Sequence, residues 1–406
     1  MSPERFIPFT KRDIIALCLD DNKSLDEKTF GQVCTLLSSV LHFQYHQRLD
    51  NLKYSYEPFN PNSDRRTLTP PTESELISQQ KSFAKDFEYI LNAANFEKIT
   101  DQDIRDALKE ESLFKVRLEV KFNDFEEMVF YRRGESKKTE TISKFLGLVK
   151  KPITFTNYDR VAVYIKFKDN VHFAERAVPM GFEPGSTVIK LFQNVPKADL
   201  EMLFPNSEIR MRPIDKFVIG ASAIVGGAVV LVTKLGASII LLAALFSFWV
   251  GMSEESVEIG QKQLLALFLG FGVLGGFVFK EWSKFKNRKI KFMKALADNL
   301  YYKNLDNNAG VFHTLVNEAE EEDFKEALLA YSFLLKHVAG LTALALDREI
   351  EQVCQTQYQC ELNFEVDDAL RKLDGLGLVH SDGSVYKAID LASAKMVLDQ
   401  HWDELF

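Results

Sequence analysis

Between residues 217 and 279 the chain is almost wholly apolar, broken only by Lys234 and by the acidic insert at 253–262. A run of this kind constrains the fold more than any other feature, because apolar stretches near 20 residues are read first as membrane helices. The block divides at 217–233, 235–252 and 263–279. The third run, extended by Lys280, Glu281 and Trp282, makes one span of a hydrocarbon layer roughly 30 Å thick. The first two runs together give a helix of about 54 Å, too long for one straight crossing. Arg210, Arg212 and Lys216 precede the block, and Lys280, Lys284, Lys286, Arg288, Lys289 and Lys291 follow it. In the insert, Glu254, Glu255 and Glu258 outweigh Lys262. Positive flanks tend to stay cytoplasmic. The expectation is therefore a transmembrane hairpin of two helices, with three as the alternative, and the insert outside. That implies a multi-pass protein of a cell inner membrane with both termini cytoplasmic, or of a mitochondrial membrane in a eukaryote.

The rest of the composition is that of a globular protein. The chain has 406 residues, net charge -8 and 46% hydrophobic residues. An acidic chain has no global field to attract nucleic acid, and none is expected as a partner. Cys18, Cys34, Cys354 and Cys360 include no Cys-x-x-Cys pair, and they read as free thiols in a reducing compartment. The first ten residues contain no long apolar run, and Glu4 and Asp13 argue against a transit peptide. The expected class is α+β, in four regions. These are a helical layer at 1–113, a small antiparallel sheet region at 114–215, the membrane region at 216–282, and a helical domain at 283–406.

Periodicity supplies the elements. Ser24 and Glu27 form a capping-box pattern ahead of a helical stripe running from Phe30 to Leu49. A second helix is expected over 73–92 and a short one over 101–110. Val116, Leu118 and Val120 alternate with charged residues, as do Met128 and Phe130, which predicts a hairpin turning at Asn123 and Asp124. Strands are expected at 161–165 and 188–192, with 137–156 as a basic, exposed connection. Farther on, a helix at 318–346 opens on Glu320, Glu321, Glu322 and Asp323, acids suited to the positive end of a helix dipole. A winged-helix-like unit is expected at about 347–390, with a hairpin turn at Asp382 and Gly383. Its acidic helix is unlike one that reads DNA.

No motif carries chemistry. Gly270, Gly272 and Gly275 spell G-x-G-x-x-G, but inside an apolar run with no preceding strand. Gly226, Gly227, Ala266, Gly270, Gly272 and Gly276 read better as small residues that let helices approach. Lys234 reads as an intramembrane charge. Lys284, Lys286, Arg288, Lys289 and Lys291 read as contacts to anionic headgroups. His42 and His46 share a helix face, but Phe43 stands where a zinc protease needs Glu. His42, His46, Asp64 and Glu326 have no spacing logic as a catalytic set. No catalytic residue, metal or cofactor is expected.

Several strings together resemble the transmembrane protein 143-like family, a family of unknown function. Before the apolar block they are Glu-Arg-Phe-Ile-Pro at 4–8, His46, Leu-Lys-Tyr-Ser-Tyr at 52–56, Phe-Asn-Pro at 59–61 and Ala-Asn-Phe at 94–96. Val-Ile-Lys-Leu-Phe at 188–192 and Asp-Leu-Glu-Met-Leu-Phe-Pro at 199–205 continue the pattern. After the block come Leu-Tyr-Tyr-Lys at 300–303, Asn307 and Asn308, Lys-Glu-Ala-Leu-Leu-Ala at 325–330 and Asp-Ala-Leu at 368–370. The resemblance implies a membrane location and an even number of spans, and it implies no reaction. The function expected is a membrane-anchored scaffold or interaction protein, contacting the lipid bilayer and either a protein partner or further copies of itself. A homo-oligomeric pore or transport component is the alternative.

Overall fold

The computed structural model describes residues 3–65, 68–107, 117–144, 149–174, 181–210, 236–252 and 260–405. The chain forms two compact units. Unit 1 takes Met1–Glu111, Lys121–Pro205 and Tyr302–Phe406; unit 2 takes Ser112–Val120 and Asn206–Tyr301.

Unit 1 begins with helices α1 (Lys11–Asp21), α2 (Glu27–Tyr56) and α3 (Glu73–Ala93). Local chemistry sets their starts. Thr10 with Asp13 and Thr72 with Glu75 form capping boxes that satisfy backbone N–H groups at the first turn. The cap of α2 is Asp26, whose carboxylate accepts from the Thr29 N–H at 2.9 Å. Ser24, expected in that role, instead donates to the Asn22 side chain.

Strand β1 (Glu97–Ile99) and helix α4 (Asp101–Ala107) come next. Beyond β2 (Arg117–Glu119), which belongs to unit 2, run β3 (Phe125–Lys144) and β4 (Val149–Phe167), then helix α5 (Asn170–Phe173) and β5 (Thr187–Pro196). β3 pairs with β4 from Phe125↔Phe167 to Lys144↔Val149, so the expected connection at 137–156 is in fact the outer part of a long ribbon. The expected hairpin around Asn123 does not form. Its first arm, β2, pairs with β6 (Glu208–Arg210) at Leu118↔Ile209.

Unit 2 contains that small sheet and two helices, α6 (Gly236–Trp249) and α7 (Gln261–Lys303). α6 has 14 residues, about 21 Å of helix, against roughly 30 Å of hydrocarbon. α7 has 43 residues, but it is apolar only over about 26 Å before Lys280, Glu281, Lys284 and Lys286 intervene. Among the described residues, no helix is long and apolar enough to cross a membrane. That finding overturns the transmembrane hairpin, and with it the membrane-centred description and the multi-pass inner-membrane location. The run at 217–233, with Gly226, Gly227 and Lys234, lies outside the described residues, as does most of the acidic insert.

Returning to unit 1, β7 (Asn304–Asn307) completes an antiparallel sheet of order β1-β3-β4-β5-β7. Helix α8 (Ala309–Lys336) follows. It starts well before the acids that were expected to open it. Then come β8 (Leu341–Thr342), α9 (Ala343–Tyr358), α10 (Val366–Gly375), β9 (Val379–Asp382), β10 (Val385–Ala388) and α11 (Leu391–Asp403). The three strands form a sheet of order β8-β10-β9, so β8 divides the helical region expected at 318–346.

Two apolar clusters build the core of unit 1, and α8 enters both. Phe312 and Leu315 pack with Tyr56, Phe83, Phe87 and Tyr164. Phe324, Leu328 and Tyr331 pack with Phe30, Leu37, Leu370 and Leu398. The Tyr56 and Phe312 rings meet edge to face at 5.1 Å, a favoured aromatic geometry.

Candidate functional site

The feature of unit 2 that most requires explanation is one face of α7. Leu264, Phe268, Phe271, Gly275, Val278, Trp282 and Phe285 alternate at spacings of four and three, and all are exposed. Apolar residues at that spacing form a seam into which a second helix packs. A neighbouring strip, about a quarter-turn round the helix, is covered: Gly270 is buried, and Leu274, Phe277 and Glu281 are partly buried. Exposure extends well round the helix, since Val273, roughly opposite the row, is 42% exposed. Leu265, Leu269 and Phe279 border the bare side and are more than 60% exposed. With side chains of about 150–250 Å² roughly half exposed, the nine large residues present on the order of 800–1,000 Å². The largest apolar patch on an ordinary monomer is about 300–600 Å².

Near the middle of this face, a Cβ added at Gly272, Gly275 or Gly276 would meet nothing within 4 Å. These glycines leave open space for an approaching backbone. The backbone of Ala266 lies in α7. Of the expected headgroup contacts, Lys284 pairs with Glu281 at 2.6 Å, and the Lys286 ammonium lies 4.1 Å from the Trp282 ring centre. Lys291 is exposed, and Arg288 and Lys289 are described only as backbone of α7.

The second concentration of functional groups lies in unit 1, on α8. Every residue from 322 to 334 is buried, although Glu322, Asp323, Lys325 and Glu326 carry charge. Fixed partners hold each of them. Lys325 Nζ donates to Glu322 at 2.6 Å and to the Ile7 carbonyl at 2.7 Å, while the Ile7 N–H donates to Glu322 at 2.9 Å. Lys372 Nζ lies 2.5 Å from Asp323 and 2.8 Å from Glu326. Tyr45 donates to Asp323 at 2.5 Å, and the Asn95 amide donates to Glu326 at 2.8 Å. Burial pushes the Glu326 carboxyl up to about 7; Lys372 opposes this and Asp323 adds to it. Burial alone would lower the Lys372 ammonium, but the two carboxylates beside it hold it above the ordinary lysine value. Two acids against one lysine leave room for one more proton near neutrality. Glu320, Glu322 and Asp323 are thus not a helix-dipole device but buried ties, joining α8 to α2, to α10 and to the N-terminal segment.

The residues weighed as a catalytic set do not converge. The His42 and His46 rings stack at 6.4 Å; His42 Nδ1 lies 2.9 Å from Glu320, and His46 Nε2 lies 3.6 Å from Asp50. Asp64 is exposed, and Glu326 is enclosed. Among the described residues, no group of three or more His, Cys, Asp or Glu is placed to hold a metal. Nothing in the sequence marks Lys372 or Asn95 as a partner of these acids. The usable clue was that the acids at 318–326 sit among apolar residues on every side of the helix, as in a buried element.

Residues 158–310 match a family described as "Protein of unknown function (DUF3754)". The match begins within β4 and runs through β5, α6, α7 and β7 to the start of α8, so it includes the bare face of α7. No solved structure matches the chain.

Proposed function

We propose that this chain is an interaction protein that associates with a second copy of itself through the bare face of α7. The observation that carries the reading is the uncovered apolar row from Leu264 to Phe285. Its area is of the order that a standard interface takes from each partner, about 800 Å². The row contains no charged residue from end to end, so an identical row complements it. Lys286, Lys291 and Lys294 lie beyond one end only. An antiparallel pair keeps these basic segments apart and brings the central Gly275 residues together, giving a two-fold interface. The resemblance to the transmembrane protein 143-like family remains a proposal that rests on its sequence strings, among them those at 188–192, 199–205, 300–303 and 307–308. A pore would need helices that cross a bilayer, and no described helix does so.

Sedimentation equilibrium of the full chain tests the proposal. The expected result is a monomer–dimer equilibrium that shifts to monomer when Phe268 and Phe271 are both changed to Asp. A chain that stays monomeric at every concentration contradicts it. So does a chain that binds phospholipid vesicles without self-association.

A further inference from the structure

The N-terminal segment crosses unit 1 as an extended strap. The Glu4 N–H donates to the Glu361 carbonyl at 3.2 Å and the Asn363 N–H donates to the Glu4 carbonyl at 2.9 Å, forming a parallel bridge at Leu362. The strap sets Glu4 and Arg5 beside β1 and β3. There they line a cavity of about 120 Å³ together with Asn95, Glu97, Arg132 and Gly134. Gly134 has φ +72°, and a Cβ there would lie 2.6 Å from Asp159 Oδ2, so only glycine suits this wall.

The bonding capacity around the cavity is unevenly used. Arg132 gives one terminal nitrogen to Glu135 at 2.7 Å and the other to Glu97 at 2.8 Å. Arg133 bonds the Ala94 carbonyl at 3.2 Å, pairs with Glu318 at 3.0 Å, and has the Phe6 and Phe96 rings 5.2 and 5.0 Å from its guanidinium. Arg5, by contrast, bonds Glu365 through Nε at 2.5 Å, and its two terminal amino groups have no partner among the described residues. Glu4 accepts one hydrogen bond, at Oε1 from the Glu135 N–H at 2.9 Å. Among the described residues its Oε2 has no hydrogen-bond partner, and Arg132 is the cation that acts on its charge. The cavity therefore offers two unspent terminal nitrogens on Arg5 and one unspent carboxylate oxygen on Glu4.

We infer that this cavity binds a small zwitterion of the amino-acid class, with its ammonium on Glu4 Oε2 and its carboxylate on the terminal nitrogens of Arg5. A carboxylate matches the planar guanidinium fork in a bidentate pair. Burial raises the Glu4 carboxyl above its ordinary value, Asp159 and Glu97 add to the rise, and the Glu135 N–H and Arg132 oppose it. A cavity of about 120 Å³ admits glycine or alanine.

Calorimetric titration of the full chain with L-alanine, ethylamine and acetate tests the inference. Alanine should bind saturably at one site, with ethylamine and acetate, which carry one charge each, at least tenfold weaker. Glu4→Gln should weaken alanine at least tenfold and abolish ethylamine binding, and Arg5→Met should abolish acetate binding. The inference is overturned if alanine gives no saturable heat, if acetate binds as tightly as alanine, or if Glu4→Gln leaves alanine binding unchanged. A readout on the unmodified protein covers the case in which the variants misfold. The Glu135 amide resonance should shift saturably with alanine, and an unmoved resonance counts against the site.

Discussion

Helices α7 and α8 treat their side chains in opposite ways. On α8, Glu326 is 2% exposed and Asp323 is 3% exposed. On α7, Phe268 is 65% exposed and Phe279 is 64% exposed. Burying a charge costs several kcal/mol unless a partner compensates it. Around α8 each buried charge has such a partner: Lys372, Tyr45, Asn95 or the Ile7 backbone. Among the described residues no element covers the α7 face, and its apolar surface gains nothing until another surface removes it from water. Side-chain polarity thus fails to place either helix, and the inventory of partners places both.

The sharpest way to break the comparison is to remove a partner from α8. Lys372→Met leaves Asp323 and Glu326 buried without their cation and should destabilise unit 1 by about 3–5 kcal/mol, measured by urea unfolding. Next in size is a dependence on pH. The Glu326 carboxyl sits near 7 in the folded chain against an ordinary value of 4.5, so between these values the native state holds a proton that the unfolded chain has lost. Its contribution to stability is fully present below about 4.5 and is lost as pH rises through about 7. At roughly 1.4 kcal/mol per unit, the loss is on the order of 3 kcal/mol. Glu326→Gln cannot titrate. Its unfolding free energy should therefore gain on the unmodified protein by that amount between pH 5 and 7.5, and a difference that stays constant across this range contradicts the assignment.

On α7 the effects should fall on association rather than folding. Phe268→Asp should weaken the dimer by about 2 kcal/mol, roughly thirtyfold, and leave the pH dependence of unit 1 unchanged. The smallest effect comes from an ion pair that looks like those of α8 but lies at the surface. Lys284 is 57% exposed where it meets Glu281. Lys284→Ala should change stability by only about 0.3–0.5 kcal/mol. An effect as large as that of Lys372→Met would show that exposure does not separate the two helices.

What could be read from the sequence depended on whether the cause was local. The helix expected at 73–92 is α3, because Thr72, Glu75 and the Phe83–Phe87–Ile90 stripe lie within one segment. The strands at 161–165 and 188–192 lie in β4 and β5, where Val161 pairs with Phe192 and Ile165 with Val188. The outer ribbon of β3 and β4 was not legible, since its many lysines and threonines look like those of a loop. Nor was the pairing of β2 with β6, whose arms lie some ninety residues apart and carry no mutual local signal. The candidate sites follow the same division. The apolar content of α7 was plain, but which of its faces is covered depends on tertiary packing. The acids of α8 were visible, while their partners Tyr45, Asn95 and Lys372 come from distant segments.

The most direct measurement of the central claim is disulfide trapping at the middle of the bare face. Gly275→Cys places a thiol in open space at the centre of the row, whereas Lys280→Cys places one on a different side of the same helix. Under mild oxidation, Gly275→Cys should form a covalent dimer and Lys280→Cys should not. A Gly275→Cys chain that stays monomeric, or equal trapping at both positions, would contradict docking of a second copy on this face.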